Sequence, residues 1–148
     1  MKNQLDKILR VAIYLRLSAE DGDKAESNSI SNQRTLIHEY LKCHEEFSLV
    51  KEFIDDGYSG TNFDRPGFQA MMQMLEKGEI DCVIVKDLSR LGRDFSGVLR
   101  YVERIFPQMG IRFIAINDGY DSAEAQEQIL AVRMKSLIND IYPADTSR

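Results

Sequence analysis

The sequence contains little cysteine and little histidine, and it has no long apolar run. Two cysteines and two histidines occur among 148 residues. Cys43 and Cys82 lack metal-ligand spacing, so we interpret both as reduced thiols, with Cys82 in the core. No apolar stretch approaches the roughly 20 residues that span a bilayer, and the opening Met-Lys-Asn-Gln is unlike a signal peptide. We therefore expect a cytoplasmic protein with no membrane partner.

Excess positive charge is also missing. The net charge is −5, with 43% hydrophobic and 29% charged residues, a composition typical of one globular domain with a core. Domains that bind nucleic acid through bulk charge are usually basic. Any contact with nucleic acid must therefore be local, or the main binding module lies outside this sequence.

Four apolar segments predict β-strands, at residues 11–17, 47–54, 80–85 and 111–116. The first is nearly continuously apolar, which indicates a central strand buried on both faces. Helical patterns lie between and after these segments. The predicted helix boundaries are Ser29 and Asp64 as N-caps, Pro66 in a first turn, Gly110 as a stop and Ser122 as the start of a last helix.

The alternation of strands and helices predicts a three-layer α/β domain. We expect a mostly parallel sheet of about four to five strands, with helices on both faces. The carboxyl ends of parallel strands share one edge, where ligands bind. Arginines and serines follow three of these strands: Arg16 and Ser18, then Ser59 and Arg65, then Arg90 and Arg93.

Residues 83–94 open as a buried strand and close as a basic turn. Arg90 and Arg93 are three positions apart, so on a helix they would project from the same side. Gly92 lacks a side chain, which would let a phosphate backbone come close. We interpret the two guanidiniums as a forked anion clamp. Taken alone, the same residues are equally consistent with a solvated basic turn.

The chemistry available at this edge is limited by residue type. A metal nuclease needs clustered carboxylates, and a serine activated by histidine needs an imidazole nearby. His38 and His44 lie on or after the first helix, far from the strand ends. Serine attack on a phosphodiester, supported by arginines, fits without a metal. The acidic residues are interleaved with arginines and show no ligand pattern: Asp55, Asp56, Asp87 and Asp94.

Four motifs together resemble the catalytic domain of serine site-specific recombinases, the resolvases and invertases. They are Tyr-Leu-Arg-Leu-Ser at 14–18, Ser-Ile-Ser-Asn-Gln at 29–33, Gly-Tyr-Ser-Gly-Thr at 57–61 with Asp-Arg-Pro at 64–66, and Leu-Ser-Arg-Leu-Gly-Arg-Asp at 88–94. The resemblance runs from about Val11 to the end of the sequence and is specific in motif order and spacing. It is strongest for the large serine recombinases of mobile elements such as conjugative transposons.

This resemblance implies a mechanism and partners. Ser18 would be the nucleophile, forming a 5′-phosphoserine link to DNA and releasing a 3′ hydroxyl. The expected partners are DNA and further copies of the chain, a homodimer on each site and a tetramer in synapsis, without metal or cofactor. The implied site contains Arg16, Arg65, Arg90 and Arg93 as phosphate-binding catalytic arginines, Gln33 as a catalytic glutamine, and Ser59, Ser89 and Asp94 in support.

The sequence departs from the family pattern in three respects. The segment between Ser18 and Gln33 is longer than in small resolvases, and Ser89 stands where many members have aspartate. The long interface helix is largely missing, as are the C-terminal DNA-binding domains. We therefore expect residues 1–148 to be an N-terminal catalytic domain, which would also explain its acidic charge.

Other interpretations remain open for individual residues and for the whole chain. Alone, Ser18 is more typical of a turn or cap, Arg16 of a salt bridge to Asp55 or Asp56, and Gln33 of a helix surface. The chain could instead be a non-catalytic assembly or regulatory module on the same fold. A receiver-like phosphoacceptor domain would use the two aspartates, but it would not gather arginines at the sheet edge.

Overall fold

In the computed structural model, residues 7–18 and 29–124 are described, and they form a five-stranded sheet. The strand order is β2-β1-β3-β4-β5, with β1 to β4 parallel and β5 antiparallel to β4. The mostly parallel sheet is confirmed, and the short β5 follows the four strands expected from the pattern. The strands are β1 Leu9–Leu17, β2 Phe47–Asp56, β3 Cys82–Val85, β4 Arg112–Ala115 and β5 Tyr120–Asp121.

Within the described residues, five α-helical segments accompany the sheet. They are α1 Ile30–Lys42, α2 Pro66–Glu76, α3 Leu88–Leu91, α4 Phe95–Arg100 and α5 Phe106–Gln108. A π-helical turn, Tyr101–Ile105, joins α4 to α5, and a 3₁₀ turn, Ile116–Asp118, precedes β5.

The long apolar stripe before Gly110 is therefore an interrupted helix. Pro107, which has no N–H to donate, lies directly after the π turn. The stripe nevertheless faces the sheet, since Val98, Val102 and Phe106 are all buried.

Helices cover both faces of the sheet, as predicted. Side chains of β1 alternate between the two faces because successive residues of a strand point in opposite directions. Ala12 and Tyr14 join the core under α2 and α4, whereas Val11, Ile13 and Leu15 join the smaller core under α1. β1 pairs with β2 on one edge and β3 on the other, and helices cover both of its faces. Its residues are therefore buried from Val11 as far as Arg16, close to the carboxyl edge of the sheet.

The first predicted helix cap is confirmed and the second is wrong. Ser29 caps α1, its Oγ accepting the Asn32 N–H at 3.1 Å. The N-cap position of α2 is Arg65, not Asp64, and its side chain makes no cap hydrogen bond. The capping oxygens come from Asp55 at the end of β2.

The Asp55 carboxylate accepts the first-turn N–H groups of α2. Gly67 donates to Oδ1 at 2.7 Å and Phe68 to Oδ2 at 2.9 Å. Asp55 is only 1% exposed, so the sheet brings a buried carboxylate to the helix start and a local cap is not required.

Three further predictions concern Ser122 with the last helix, the two cysteines and membrane-spanning segments, and part of the predicted last helix lies outside the described residues. Ser122 lies in a turn, where its Oγ accepts the Phe113 N–H at 2.9 Å, and the predicted last helix beyond residue 124 is not described. Cys43 is exposed and Cys82 buried, both as free thiols, as expected. Within residues 7–18 and 29–124, no helix has the length and apolar character to cross a membrane.

Candidate active site

Arg16 lies at the carboxyl end of β1 and is fully buried. Its guanidinium is held by backbone carbonyls: Nε donates to Arg90 at 3.1 Å, Nη1 to Tyr58 at 3.1 Å, and Nη2 to Ser89. The salt bridge to Asp55 considered from sequence is not formed, because that carboxylate caps α2. Arg16 is therefore fixed by neutral oxygens, which leave its charge uncancelled.

Other arginines surround this buried cation. Burial, and then the charges of Arg90 and Arg65, lower the pKa of Arg16 to about 10, and Arg93 adds to the effect. Arg16 still carries its proton near pH 7. The carboxyl edge of the sheet therefore concentrates positive charge in a chain whose net charge is negative.

Gln33 and Arg90 both form hydrogen bonds with the backbone of Arg16. Gln33 Nε2 donates to the Arg16 carbonyl at 2.8 Å, and its Oε1 accepts the Arg16 N–H at 3.2 Å. Arg90 Nη1 donates to the same carbonyl at 2.6 Å. Gln33 is fully buried, so the surface-helix interpretation is wrong. These contacts fix the peptide two residues before Ser18, which is itself 7% exposed.

Arg65 is held by a buried hydrogen-bond chain. Its Nη1 donates to Tyr14 Oη at 2.8 Å, and that hydroxyl donates to Asp55 Oδ2 at 2.7 Å. Nε and Nη2 donate to the carbonyls of Asn62 and Leu91 at 2.9 and 2.7 Å. Burial raises the pKa of Tyr14, so the hydroxyl stays protonated as the link of this chain.

Aromatic rings also pack on the Arg65 guanidinium. Its Cζ lies 4.9 Å from the ring centroid of Phe63 and 5.2 Å from that of Phe68. Cation–π contacts of this kind favour a guanidinium that stays charged although it is only 1% exposed.

Arg90 and Arg93 do not share a helix face. The helix α3 ends at Leu91, and Gly92 follows with extended backbone. A Cβ on Gly92 would lie 2.8 Å from Phe63 Cζ, so the space beside this glycine is filled by a ring and not left for a phosphate. The helical-clamp geometry predicted for the two arginines is therefore wrong.

The loop between β2 and α2 nevertheless brings Arg93 to Arg16. The Arg93 N–H donates to the Gly60 carbonyl at 2.7 Å. A Cβ on Gly60 would lie 2.6 Å from Arg16 Nη2 and 3.1 Å from Arg93 Cγ. Gly60 thus fits between the two arginines because it has no side chain.

The three supporting residues have different environments. Ser59 lies in the β2–α2 loop, its Oγ 2.9 Å from Thr61 Oγ1. Ser89 Oγ donates to Asp87 Oδ1 at 2.6 Å. Asp94 caps α4 by accepting the Gly97 N–H at 2.9 Å. Asp94 therefore has a helix-capping role that the sequence motif alone did not reveal.

Two residues of this network, Tyr14 and Asp55, have no site role in the sequence motifs. Tyr14 precedes Arg16 by two positions, which puts both side chains on the same side of β1. Asp55 pairs in register with Arg16 at the end of the neighbouring strand. A polar residue inside an apolar strand and an acid at the next strand's end were the available signals. Direct hydrogen bonds join Arg16, Gln33 and Arg90. Arg65 binds the Leu91 carbonyl next to Arg90, Arg93 lies beside Gly60, and Ser18 follows the end of β1.

Comparison with known proteins agrees with this architecture. Residues 11–147 match the family model "Resolvase, N terminal domain". The serine recombinase gin of Escherichia phage Mu is 33% identical over 73 residues, which cover 49% of this chain and 36% of that protein. The matched part is therefore about a third of that curated relative.

Solved structures show the same fold. The N-terminal catalytic domain of TP901-1 integrase superposes with a TM-score of 0.72 at 27% identity, covering 90% of this chain and 96% of that one. A resolvase family site-specific recombinase from Streptococcus pneumoniae gives 0.67 at 25% identity, covering 90% and 89%. With the family model matched over most of its length, the chain belongs to the resolvase N-terminal domain family.

Proposed function

We propose that the chain is the catalytic domain of a site-specific serine recombinase and that Ser18 attacks a DNA phosphodiester. One observation carries the proposal. Buried arginines held by neutral acceptors converge at the end of the strand that leads into Ser18. Guanidiniums fixed in this way stabilise the charge that develops on a phosphoryl group, and they need little reorganisation to do so.

The proposed step conserves the energy of the phosphodiester. The bond between Ser18 Oγ and phosphorus forms while the bond from phosphorus to the 3′ oxygen of DNA breaks. Oγ loses its proton and the leaving 3′ oxygen gains one, so one hydroxyl is consumed and one is released. The phosphate remains a diester, now with serine, and attack by a 3′ hydroxyl reverses the step and joins strands.

The site residues then divide by role. Arg16, Arg65, Arg90 and Arg93 bind and polarise the phosphate, and Gln33 holds the strand end that carries the nucleophile. Ser59, Ser89 and Asp94 support the surrounding loops and turns. DNA is the substrate partner, and we propose dimers on each site and a tetramer in synapsis. DNA-binding domains elsewhere in a longer polypeptide would supply most of the affinity.

Covalent trapping tests the proposal. A library of random-sequence DNA duplexes carrying 3′-bridging phosphorothiolates is incubated with the protein, so that cleavage releases a 3′ thiol that rejoins poorly. Protein–DNA adducts are recovered under denaturing conditions, and the attachment site is identified by mass spectrometry. We expect the adduct on Ser18 and its complete loss in Ser18→Ala.

Ser48→Ala is the matched control, because Ser48 is an exposed serine on β2, outside the site. Its adduct yield should equal that of the wild type. An adduct that persists in Ser18→Ala would reject the nucleophile assignment. Wild-type protein that forms no adduct even at duplex concentrations that saturate binding would favour the non-catalytic assembly module instead.

A further inference from the structure

One carboxylate oxygen organises the turn that carries Arg90. Asp87 caps α3, with Oδ1 accepting the Arg90 N–H at 3.2 Å. The same oxygen accepts the Ser89 hydroxyl at 2.6 Å. It also lies 3.6 Å from Arg90 Nε, within ion-pair range. Asp87 therefore contacts the backbone and the guanidinium of Arg90, as well as the side chain between them.

The Ser89 hydroxyl links the Asp87 carboxylate to the Arg90 guanidinium. Arg90 Nη2 donates to Ser89 Oγ at 3.3 Å while that hydroxyl donates to Asp87. A hydroxyl that donates to a carboxylate becomes a better acceptor, because hydrogen bonds in a chain polarise one another. The order carboxylate, hydroxyl, guanidinium thus draws the Arg90 side chain towards Asp87.

This attraction opposes a specific repulsion. Arg90 is 1% exposed and lies close enough to lower the pKa of Arg16. Two buried cations repel each other, and each would gain hydration by turning outwards. Arg90 nevertheless keeps Nη1 on the Arg16 carbonyl at 2.6 Å. Asp87 places a carboxylate beside Arg90 that opposes this repulsion.

We propose that Asp87 is a positioning residue of the active site, which holds the Arg90 guanidinium through the hydroxyl of Ser89. The proposal rests on the function proposed above and adds a residue to it. It also gives position 89 a defined task, since serine there relays a carboxylate from two residues earlier. Asp87 does not touch the phosphate in this scheme and acts through Arg90.

The substitutions separate the negative charge of Asp87 from its helix-capping oxygen. Asp87→Asn keeps an oxygen suited to an N-cap and removes the charge. Ser89→Ala removes the relay, whereas Ser89→Thr keeps a hydroxyl. Asp56→Asn is the matched control, an exposed carboxylate at the end of β2. Because asparagine caps helices as well as aspartate does, Asp87→Asn should unfold within about 2 °C of the wild type.

The first measurement is the rate of adduct formation on the phosphorothiolate duplex library. We expect Asp87→Asn and Ser89→Ala each to slow it about tenfold, and the double variant to slow it about tenfold as well, since both break one chain. Ser89→Thr and Asp56→Asn should keep the wild-type rate. A double variant slowed about a hundredfold, or Ser89→Thr as slow as Ser89→Ala, would overturn the proposal.

The second measurement needs no DNA. In protein labelled with ¹⁵N-arginine, a held guanidinium gives separate Nη1 and Nη2 signals, which merge as rotation about the Nε–Cζ bond becomes fast. The Arg90 signals are assigned by their loss in Arg90→Lys. We expect Asp87→Asn and Ser89→Ala to speed their exchange at least about tenfold, the effect of losing a charge-assisted hydrogen bond. Unchanged exchange in both variants would reject the positioning role.

The two measurements separate the two proposals. If the wild type forms no DNA adduct at saturating duplex concentration, the recombinase mechanism fails, and the Arg90 signals still decide whether Asp87 holds the guanidinium. If Asp87→Asn lowers the thermal unfolding midpoint by more than about 2 °C, the comparison of Ser89→Ala with Ser89→Thr decides whether Arg90 is held through the Ser89 hydroxyl. The capping oxygen is intact in both of those variants.

Discussion

Arginines at the two ends of the sheet are held by different kinds of acceptor. At the amino end, Arg10 makes a two-pronged bond to Asp81, with Nε–Oδ2 and Nη2–Oδ1 distances of 2.9 and 3.0 Å. Arg112 does the same with Asp121 at 2.9 and 2.6 Å. At the carboxyl end, Arg16 donates to three carbonyls. Carboxylates cancel the charge that they bind, whereas carbonyls fix a guanidinium and leave its charge available.

The pKa values of the arginines also differ between the two ends of the sheet. The hydrogen bond that Arg10 donates to Asp81 raises the pKa of Arg10, and the one that Arg112 donates to Asp121 raises that of Arg112. Burial lowers the pKa of Arg16 to about 10. An arginine in a site that disfavours its charge adds little to folding stability. At the carboxyl end Arg16 therefore keeps a charge that no carboxylate binds, whereas the arginines at the amino end join strands through carboxylates.

Removing one arginine from each end should give the largest contrast. Arg16→Ala is expected to slow DNA adduct formation about 10²–10³-fold, the usual effect of losing one preorganised donor. Arg112→Ala should leave the rate within about twofold, because its charge is already bound by Asp121. Both rates are measured with the phosphorothiolate duplex library. Equal losses in the two variants would remove the functional distinction between the ends.

Asp55 is a carboxylate at the carboxyl end that, among the described residues, binds no arginine directly, because it accepts hydrogen bonds from a helix and a tyrosine. Asp55→Ala would leave the Tyr14 hydroxyl and two N–H groups of α2 without their acceptor. We expect a loss of about 3 kcal/mol in the free energy of unfolding, as for other broken buried networks. Urea denaturation measures it. Asp56→Ala, an exposed neighbour, should cost less than about 0.5 kcal/mol.

The sequence predicted the sheet and most of the site because both depend on local patterns. Apolar runs located four strands, and the polar residues at or after their ends predicted the edge near which Arg16, Arg65 and Arg90 lie. Polar residues that follow different strands come together here because parallel strands align their carboxyl ends at one edge of the sheet. Burial of Gln33 was not predictable, since its partner is the backbone of a residue 17 positions earlier.

The predictions from sequence were wrong where a contact between distant segments took the place of the local contact that the motif predicts. Asp64 has the right sequence position for a cap, but Asp55 arrives from the sheet and takes the N–H groups. Gly92 suggested access for a phosphate, but Phe63 fills the space beside it. In each case the competing group is more than eight residues away along the chain, beyond the range of turn and helix signals.

A smaller change can displace Arg16 without removing it. In Gly60→Ala the new Cβ would lie 2.6 Å from Arg16 Nη2 and 2.8 Å from Cζ, so the guanidinium must move away from its carbonyls. We expect adduct formation to slow about tenfold, as for other small misplacements of catalytic groups. The chain should keep its fold, because the clash is with the end of a side chain.

Gly78→Ala provides the matched control for this substitution. Gly78 has φ +74° and open space around its Cα, so alanine there strains the backbone and touches nothing. We expect it to cost about 1 kcal/mol of stability and to leave the adduct rate unchanged. A Gly60→Ala protein that reacts as fast as Gly78→Ala would show that Arg16 need not be held in place.

The smallest expected effect concerns acid stability and distinguishes the two kinds of acceptor directly. The Arg10 hydrogen bond lowers the pKa of Asp81, so the stability from this pair is present above the unfolded pKa and is lost as pH falls through the folded value. Arg10→Met should therefore have a lower urea midpoint than the wild type at pH 7. The two midpoints should converge below about pH 4, where an unpaired aspartate takes up its proton.

Arg16→Met should show no such convergence. The acceptors of Arg16 are the carbonyls of Tyr58, Ser89 and Arg90, which do not titrate. The difference in urea midpoint between Arg16→Met and the wild type should therefore stay constant from pH 7 to about pH 3. An acid-dependent difference would mean that a carboxylate shares the charge of Arg16, and the division between the two ends of the sheet would then be one of degree.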